Sequence, residues 1–257
     1  MKSHVIVLGI GEMGGVFARG ILKIEHPVYP LTRRMNLAVV AEEFPNSEAV
    51  IVAVGEKDLL NVLKMMPSNW QDRLVLLQNE LLPRDWLALG IKNPTVISVW
   101  FEKKYPQDYK VIIPSVVFGP KSELIEKTLT ALGIPIRILK TEAELISELV
   151  LKNLYILTIN ICGLVVGGTV EELWNRHQTL VRDVAYDVLD LQEWLTGKKF
   201  DREQLIQGMV KAFEGDPQHK CLGRTAPIRL QRAIQQADKA GLSLKKFREI
   251  SALSLKK

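Results

Sequence analysis

The segment that most restricts the possible folds is a glycine turn that joins a short apolar strand to a helix. The residues of Val5–Leu8 are aliphatic and mostly β-branched, which is typical of a buried parallel strand. Residues 13–23 then place apolar and small residues at a helical spacing. The residues of the turn are Gly9, Ile10, Gly11, Glu12, Met13 and Gly14. A strand, a GxGxxG turn and a helix in this order predict a dinucleotide-binding site.

Each glycine of the turn has an expected task in such a site. Gly9 permits the tight turn, Gly11 leaves the backbone open to a pyrophosphate, and Gly14 lets the helix pack close to the strand. The N-terminus of the helix then offers its unpaired N–H groups to the anion. We therefore predict that residues 9–14 bind the cofactor. A glycine-rich turn without a ligand is the alternative interpretation.

The end of the second strand decides which cofactor is expected. Val28–Leu31 is the second strand candidate, and an NAD site places Asp or Glu at its end to accept from the ribose hydroxyls. This chain instead has Thr32, Arg33 and Arg34 at that point. A guanidinium binds a 2′-phosphate through its planar fork, whereas a carboxylate would repel it. The sequence predicts NADP(H) as the cofactor, and two arginines on a solvated loop are the alternative.

Strand and helix patterns alternate up to about residue 141 and only helical patterns follow. Strand candidates are Val5–Leu8, Val28–Leu31, 49–54, 74–77, 96–100, 111–118 and 134–139, with helices at 13–23, 59–66 and 122–132. Further helices are predicted at 142–165, 170–196, 201–212 and 226–240, and a short helical tail follows from residue 243. This alternation predicts an α/β fold with a parallel, doubly wound Rossmann-type sheet, followed by an all-helical C-terminal domain. We expect an NADP-binding domain at 1–141 and a helical substrate and dimerisation domain at 142–257.

Composition excludes several other classes of protein. The net charge of +5 over 257 residues is mild, and the Lys and Arg residues are scattered, so no nucleic-acid partner is expected. The two cysteines, Cys162 and Cys221, are too few for a metal cluster or a disulfide framework. The apolar run 156–166 is too short to span a bilayer, and no signal peptide is evident. We expect a cytoplasmic protein without a metal or a membrane association.

Five short stretches are together similar to one enzyme family. They are the glycine turn, the Thr32 turn, Gln78-Asn79-Glu80, Val117-Phe118-Gly119 and the run 147–152, which reads Ser-Glu-Leu-Val-Leu-Lys. With these positions the chain resembles the ketopantoate reductases (2-dehydropantoate 2-reductases) of the 6-phosphogluconate-dehydrogenase-like superfamily. The first two stretches are shared by many NADP enzymes, whereas Gln-Asn and Glu-Leu-x-x-Lys discriminate better.

The resemblance implies roles for three polar residues. Asn79 would lie beside the nicotinamide ribose and the substrate, and Lys152 would be the general acid. Chemistry supports Lys152 independently, because hydride transfer to a ketone builds negative charge on oxygen that an ammonium stabilises and protonates. A surface lysine is the alternative. Asn160 follows Lys152 by two helical turns and matches a substrate-binding asparagine of the family, but Ile156 between them cannot form a hydrogen bond.

A second departure from the family lies before the predicted helix at 226–240. The reductases carry acidic residues there that bind the substrate hydroxyl, but this chain has no carboxylate between Asp216 and Asp238. Arg224 and Arg229 stand in this region instead, and we name them as candidates to bind a substrate carboxylate. A solvated helix face explains the same arginines equally well.

These features predict an NADPH-dependent oxidoreductase that reduces a small 2-oxo acid or a related carbonyl compound. An anionic small-molecule substrate and a homodimer are the expected partners. Two alternatives stay open. One is a prephenate- or imine-type dehydrogenase of the same superfamily, and the other is a non-catalytic NADP(H)-binding sensor or scaffold, which the missing carboxylate favours.

Overall fold

The computed structural model describes residues 2–103 and 106–254. The chain divides into two compact units, Met1–Ile146 and Ser147–Lys257. The division falls inside the long helix Glu142–Val166, whose first residues belong to the first unit. The sequence places a boundary at 141, just before this helix begins. A change from strand to helix patterns shows where the helix starts, but it does not show which unit the first turn of the helix packs against.

The first unit is built around a seven-stranded sheet. Helices alternate with the strands along the chain. The strands of the chain are β1 (Val5–Leu8), β2 (Val28–Leu31), β3 (Ala49–Val52), β4 (Leu74–Leu76), β5 (Thr95–Ser98), β6 (Phe101–Lys103), β7 (Tyr109–Val111), β8 (Ser115–Phe118) and β9 (Ile136–Ile138). The helices are α1 (Glu12–Lys23), α2 (Leu37–Glu43), α3 (Glu56–Lys64), α4 (Pro83–Leu87) and α5 (Ser122–Thr130), with a 3-10 turn at Ser68–Arg73.

The strand order of the large sheet is β2-β1-β3-β4-β5-β8-β9. Strands β1 to β5 pair in parallel, with Leu8 beside both Leu31 and Val52 at the carboxyl ends. The chain moves to one side of β1 to form β2 and then to the other side to form β3, so β1 and β3 flank a topological switch point. Open α/β sheets bind their ligands at such a point. The predicted α/β fold with a doubly wound sheet is confirmed.

The central strands are buried on both faces because helices cover them. Every residue of β1 and β3 is at most 5% exposed, which explains their uninterrupted apolar sequence. On one face, Phe17 of α1 and Ile125 of α5 pack over Val7 and Ile51 within one hydrophobic cluster. The cluster continues through Leu129, Val75 and Val117. This rigid layer holds the glycine turn at the carboxyl edge of the sheet.

Two predictions about the strands of the first unit are wrong, and three short elements were not predicted. The predicted strand at 111–118 is divided between β7 and β8, because Pro114 lies between them and cannot donate to a ladder. Strand β8 pairs antiparallel to β5, so the sheet is not parallel throughout. Strand β6, which pairs with β7 in a separate two-stranded sheet, and the short helices α2 and α4 were not predicted, because elements of three to seven residues show little periodicity.

The second unit is helical. Its helices are α6 (Glu142–Val166, which begins in the first unit), α7 (Val170–Arg176), α8 (Gln178–Thr196), α9 (Arg202–Gly215), α10 (Ala226–Ala240) and α11 (Lys245–Ser254). The predicted all-helical region is confirmed, with one isolated β-bridge between Thr169 and Lys220 in the described residues. The predicted helix at 170–196 is interrupted at His177, so it forms α7 and α8.

Helix α6 is the core helix of this unit. By length and composition alone it could cross a membrane, since its most apolar window has a mean hydropathy of 1.9. However, 78% of that window is buried inside the protein, which is typical of a core helix. The apolar run 156–166, too short to span a bilayer by itself, is the second half of this longer helix.

Candidate functional site

The glycine turn after β1 is so tightly packed that two of its glycines have no room for a side chain. Gly9 has a φ of +92°, and a Cβ there would lie 2.8 Å from the Ala53 carbonyl oxygen. A Cβ on Gly14 would lie 1.9 Å from the Gly9 carbonyl oxygen, so helix α1 crosses directly over the turn. These two glycines are therefore required by the protein's own packing, whether or not a ligand is present.

Gly11 is different because it faces open space. A Cβ at Gly11 would meet no atom within 4 Å, and its φ of −82° and ψ of −162° suit any residue. Gly11 is the N-cap of α1 and offers no side chain to the first N–H groups of the helix. The packing of the described residues therefore does not require glycine here, and the absence of a side chain leaves the helix N-terminus open to an approaching ligand.

A cleft of about 1090 Å³ opens beside this turn at the switch point of the sheet. Gly9, Ile10 and Gly11 form part of its lining, together with Thr32 and Arg33 after β2. Arg34 is exposed and lies outside the described lining of the cleft. Glu12 is exposed and, with Gly11, Arg19 and Lys103, lines a smaller hollow of about 360 Å³ next to the turn. Met13 is half-buried and packs against the hydrophobic cluster.

The cleft also contains an acidic residue that the sequence argument missed. Asp58 and Asn61 of α3 line the same cleft as Arg33. Asp58 Oδ2 would lie 3.8 Å from a Cβ on Gly55, so the carboxylate stands beside the turn that follows β3. The sequence signal was present, because an acid in the first turn of the helix after a buried strand is brought to the carboxyl edge of a parallel sheet.

Gln78 and Asn79 follow β4 on the same edge of the sheet. The Gln78 amide donates to the backbone carbonyls of Val52 at 2.5 Å and Val54 at 3.3 Å, which ties the end of β4 to the end of β3. Asn79 Nδ2 donates to Glu56 Oε1 at 3.1 Å. Asn79 is half-buried at this edge and lies outside the described lining of the large cleft.

Lys152 lies on α6 in the second unit and is partly buried. Its Nζ is 5.8 Å from the centre of the Tyr155 ring, within the range of a cation–π contact. Tyr155 is itself buried and packs on Phe213 with ring centroids 5.7 Å apart. The aromatic ring therefore restricts the position of the ammonium group, whereas the ammonium of a fully solvated lysine would move freely.

The structure brings together two of the residues named as substrate-binding candidates. Arg229 Nη1 of α10 donates to Asn160 Oδ1 of α6 at 3.4 Å, and both side chains are buried. A Cβ on Gly223 would lie 2.8 Å from Asn160 Oδ1, so the segment before α10 packs directly on this asparagine. Arg224 follows Gly223 but is exposed. This hydrogen bond therefore links two buried polar side chains of α6 and α10.

Neither cysteine has the properties of a nucleophile. Cys162 and Cys221 are fully buried in the second unit and form no disulfide. Burial raises the pKa of the Cys162 thiol far above its usual range and that of Cys221 to about 11. Both side chains therefore act as packing groups.

Comparison with known proteins gives a consistent result for the fold. No family model and no curated protein sequence matches the chain. Among solved structures, a PanE/ApbA family ketopantoate reductase from Ralstonia eutropha has a TM-score of 0.67 at 15% identity, covering 99% of this chain and 97% of that one. A ketopantoate reductase from Staphylococcus aureus, described as dimeric, has a TM-score of 0.65 at 15% identity, with coverage of 98% and 97%.

A second enzyme has the same architecture. The ternary structure of D-mandelate dehydrogenase with NADH and anilino(oxo)acetate has a TM-score of 0.66 at 14% identity, covering 99% of this chain and 97% of that one. These similarities show that the chain has a ketopantoate reductase-like fold over nearly its full length. Because the fold hosts more than one activity, the function has to be argued from the residues of the site.

Proposed function

We propose that the protein is an NADPH-dependent oxidoreductase that reduces a small 2-oxo acid or a related carbonyl compound. The observation that carries the proposal is the cleft at the switch point, where the open Gly11 position and the exposed guanidinium of Arg33 line the same space. Gly11 leaves room for a pyrophosphate, and Arg33 suits a 2′-phosphate. Enzymes with this fold include reductases and dehydrogenases that act on 2-oxo acids or 2-hydroxy acids, which supports the reaction class.

The remaining roles are proposed for Lys152, Arg229 and Arg224 of the second unit and for Asn79 of the first unit. Lys152 would protonate the oxygen that receives negative charge as hydride arrives at the carbonyl carbon. Arg229, held beside Asn160, would bind the carboxylate of an anionic substrate, and the exposed Arg224 would assist. Asn79 would hold the substrate side of the cofactor. A homodimer is part of the proposal, in line with the dimeric neighbour, and light scattering after size-exclusion chromatography tests it.

The cofactor assignment is tested by titrating the protein with NADPH and NADH and following tryptophan fluorescence. We expect NADPH to bind at least ~30-fold more tightly, because charge-assisted bonds to a phosphate contribute about 2 kcal/mol. Arg33→Gln should remove most of this preference. Arg34→Gln is the matched control, since Arg34 is exposed outside the cleft lining. Equal affinities in the wild-type protein would contradict the assignment.

The activity is tested by following NADPH oxidation at 340 nm with a panel of small 2-oxo acids that includes ketopantoate. Turnover of at least one compound, lost in Lys152→Ala with NADPH affinity retained, is the expected result. Loss of a general acid typically lowers the rate by ~10²–10⁴.

A non-catalytic NADP(H)-binding protein is the second candidate function, and two contacts favour it. The amide of Asn79 is engaged by Glu56, and the amide oxygen of Asn160 is engaged by Arg229, so both expected substrate ligands already have protein partners. Tight NADPH binding without turnover of any carbonyl compound in the panel would select this function.

A further inference from the structure

Two side chains of opposite charge share the nucleotide cleft without contacting each other. Arg33 lies after β2 and Asp58 lies in the first turn of α3, and both line the cleft of about 1090 Å³. Neither side chain makes a hydrogen bond or an ion pair within residues 2–103 and 106–254. Both charges therefore remain available to a ligand in this space.

The position of Asp58 relates it to the sugar end of a bound dinucleotide. Its carboxylate stands beside Gly55, directly after β3, while Thr32 and Arg33 follow β2 on the other side of β1. The glycine turn after β1 lies between these two segments, since the strand order is β2-β1-β3. A dinucleotide whose pyrophosphate meets Gly11 would extend its adenosine half into the cleft that both side chains line.

We propose that Asp58 is a cofactor-specificity residue that opposes Arg33. A carboxylate accepts hydrogen bonds from the ribose hydroxyls of NADH and repels the 2′-phosphate of NADPH, whereas the guanidinium attracts that phosphate. With Asp58 present, the preference for NADPH is smaller than it would be with Arg33 alone, and the protein retains measurable binding of NADH. This inference rests on the proposed nucleotide cleft and adds a second determinant to it.

Binding of small fragments tests the inference without any contribution from the nicotinamide half. Adenosine 2′,5′-bisphosphate and adenosine 5′-monophosphate differ only in the 2′-phosphate, and their affinities are measured by isothermal titration calorimetry. Asp58→Asn should raise the ratio of the two affinities by about tenfold, because two like charges some ångströms apart at a solvated surface repel by about that much. Arg33→Gln should lower the ratio, and the double variant should lie between the two single variants.

Controls separate a failure of this inference from a failure of the proposed function. Asp72→Asn removes an exposed acid of the same unit that is not part of the described cleft lining, and it should leave the ratio unchanged. Asp58→Ser should reproduce the effect of Asp58→Asn, and circular dichroism checks that each variant is folded. An unchanged ratio in both folded Asp58 variants, with Arg33→Gln still lowering it, would overturn the role of Asp58 alone. If the wild-type protein binds neither fragment nor NADPH, the nucleotide cleft itself is refuted.

Discussion

Arg229 donates to Asn160 across 69 residues of sequence, with 3.4 Å between Nη1 and Oδ1, and both side chains are at most 8% exposed. The amide oxygen holds the guanidinium on the α6 side of α10. The contact joins a buried guanidinium to a neutral amide, so it orients the guanidinium without the charge of a carboxylate at that contact.

The first prediction concerns this pair and applies to the proposed reductase activity. Arg229→Lys removes the planar fork but keeps the charge, so KM for the 2-oxo acid should rise about tenfold with kcat little changed, as expected when uniform substrate binding is lost. Steady-state kinetics gives both constants, and a thermal melt checks that the variant is folded. Arg232→Lys, on the same helix, is the matched control. A fall in kcat with constant KM would contradict a substrate-binding role.

The second prediction concerns Lys152. Lys152→Met keeps the side-chain length and the contact with the Tyr155 ring but removes the proton donor. We expect kcat to fall by ~10²–10⁴ and NADPH affinity to stay within a factor of about two. Lys211→Met, which changes a lysine on α9, is the control, with unchanged kcat. If Lys152→Met retains wild-type turnover, another group supplies the proton.

The third prediction contrasts two glycines of the same turn. Gly11→Val meets no protein atom, so its cost in stability should stay near the ~1 kcal/mol for a poor N-cap residue, while nucleotide affinity falls at least ~10-fold. Gly14→Ala places a methyl group 1.9 Å from the Gly9 carbonyl, so the free energy of unfolding should fall by ~3 kcal/mol or more. Denaturant unfolding and NADPH titration of both variants separate the two effects. Normal nucleotide binding in Gly11→Val would place the ligand elsewhere.

The fourth prediction is a pH dependence of stability that originates in the second unit. The Glu193 side chain is 6% exposed and accepts from Arg202 at 2.7 Å and from Lys199 at 2.5 Å. These hydrogen bonds, above all that of Arg202, lower the pKa of Glu193 to about 2. Because the folded pKa is lower than the unfolded one, this stabilisation is complete above pH ~5 and is lost as the pH falls towards 2.

Glu193→Gln tests this prediction. At pH 7 the variant should be less stable by about 3 kcal/mol, and the difference from the wild type should vanish between pH 5 and 2. Glu203→Gln is the matched control, because Glu203 is half-exposed in its pair with Arg182 and should change stability little. Thermal melts across this pH range give the comparison. A constant difference between pH 5 and 2 would show that ionisation of Glu193 is not the cause.

Local pattern was sufficient for the elements whose surroundings are uniform. Strands β1 and β3 are buried on both faces, so an unbroken apolar run identifies them, and the strand–glycine–helix order identifies the turn. Helix α6 is equally apparent from its apolar composition. The reversal of β8 was not predictable in this way, because a buried strand has the same composition in either direction. Only its pairing with β5, between Ile97 and Val117, defines the orientation.

The sequence by itself determined the α/β plan, the glycine turn and the arginine after β2, because each depends on residues close together in the chain. Tertiary structure decided which distant residues share a space. The strand order β2-β1-β3 brings Asp58 to the cleft of Arg33, and the arrangement of the helices in the second unit brings Arg229 of α10 to Asn160 of α6. These pairs of neighbours arise from strand order and helix packing. Burial of hydrophobic residues selects that arrangement for the whole chain, so no single segment encodes it.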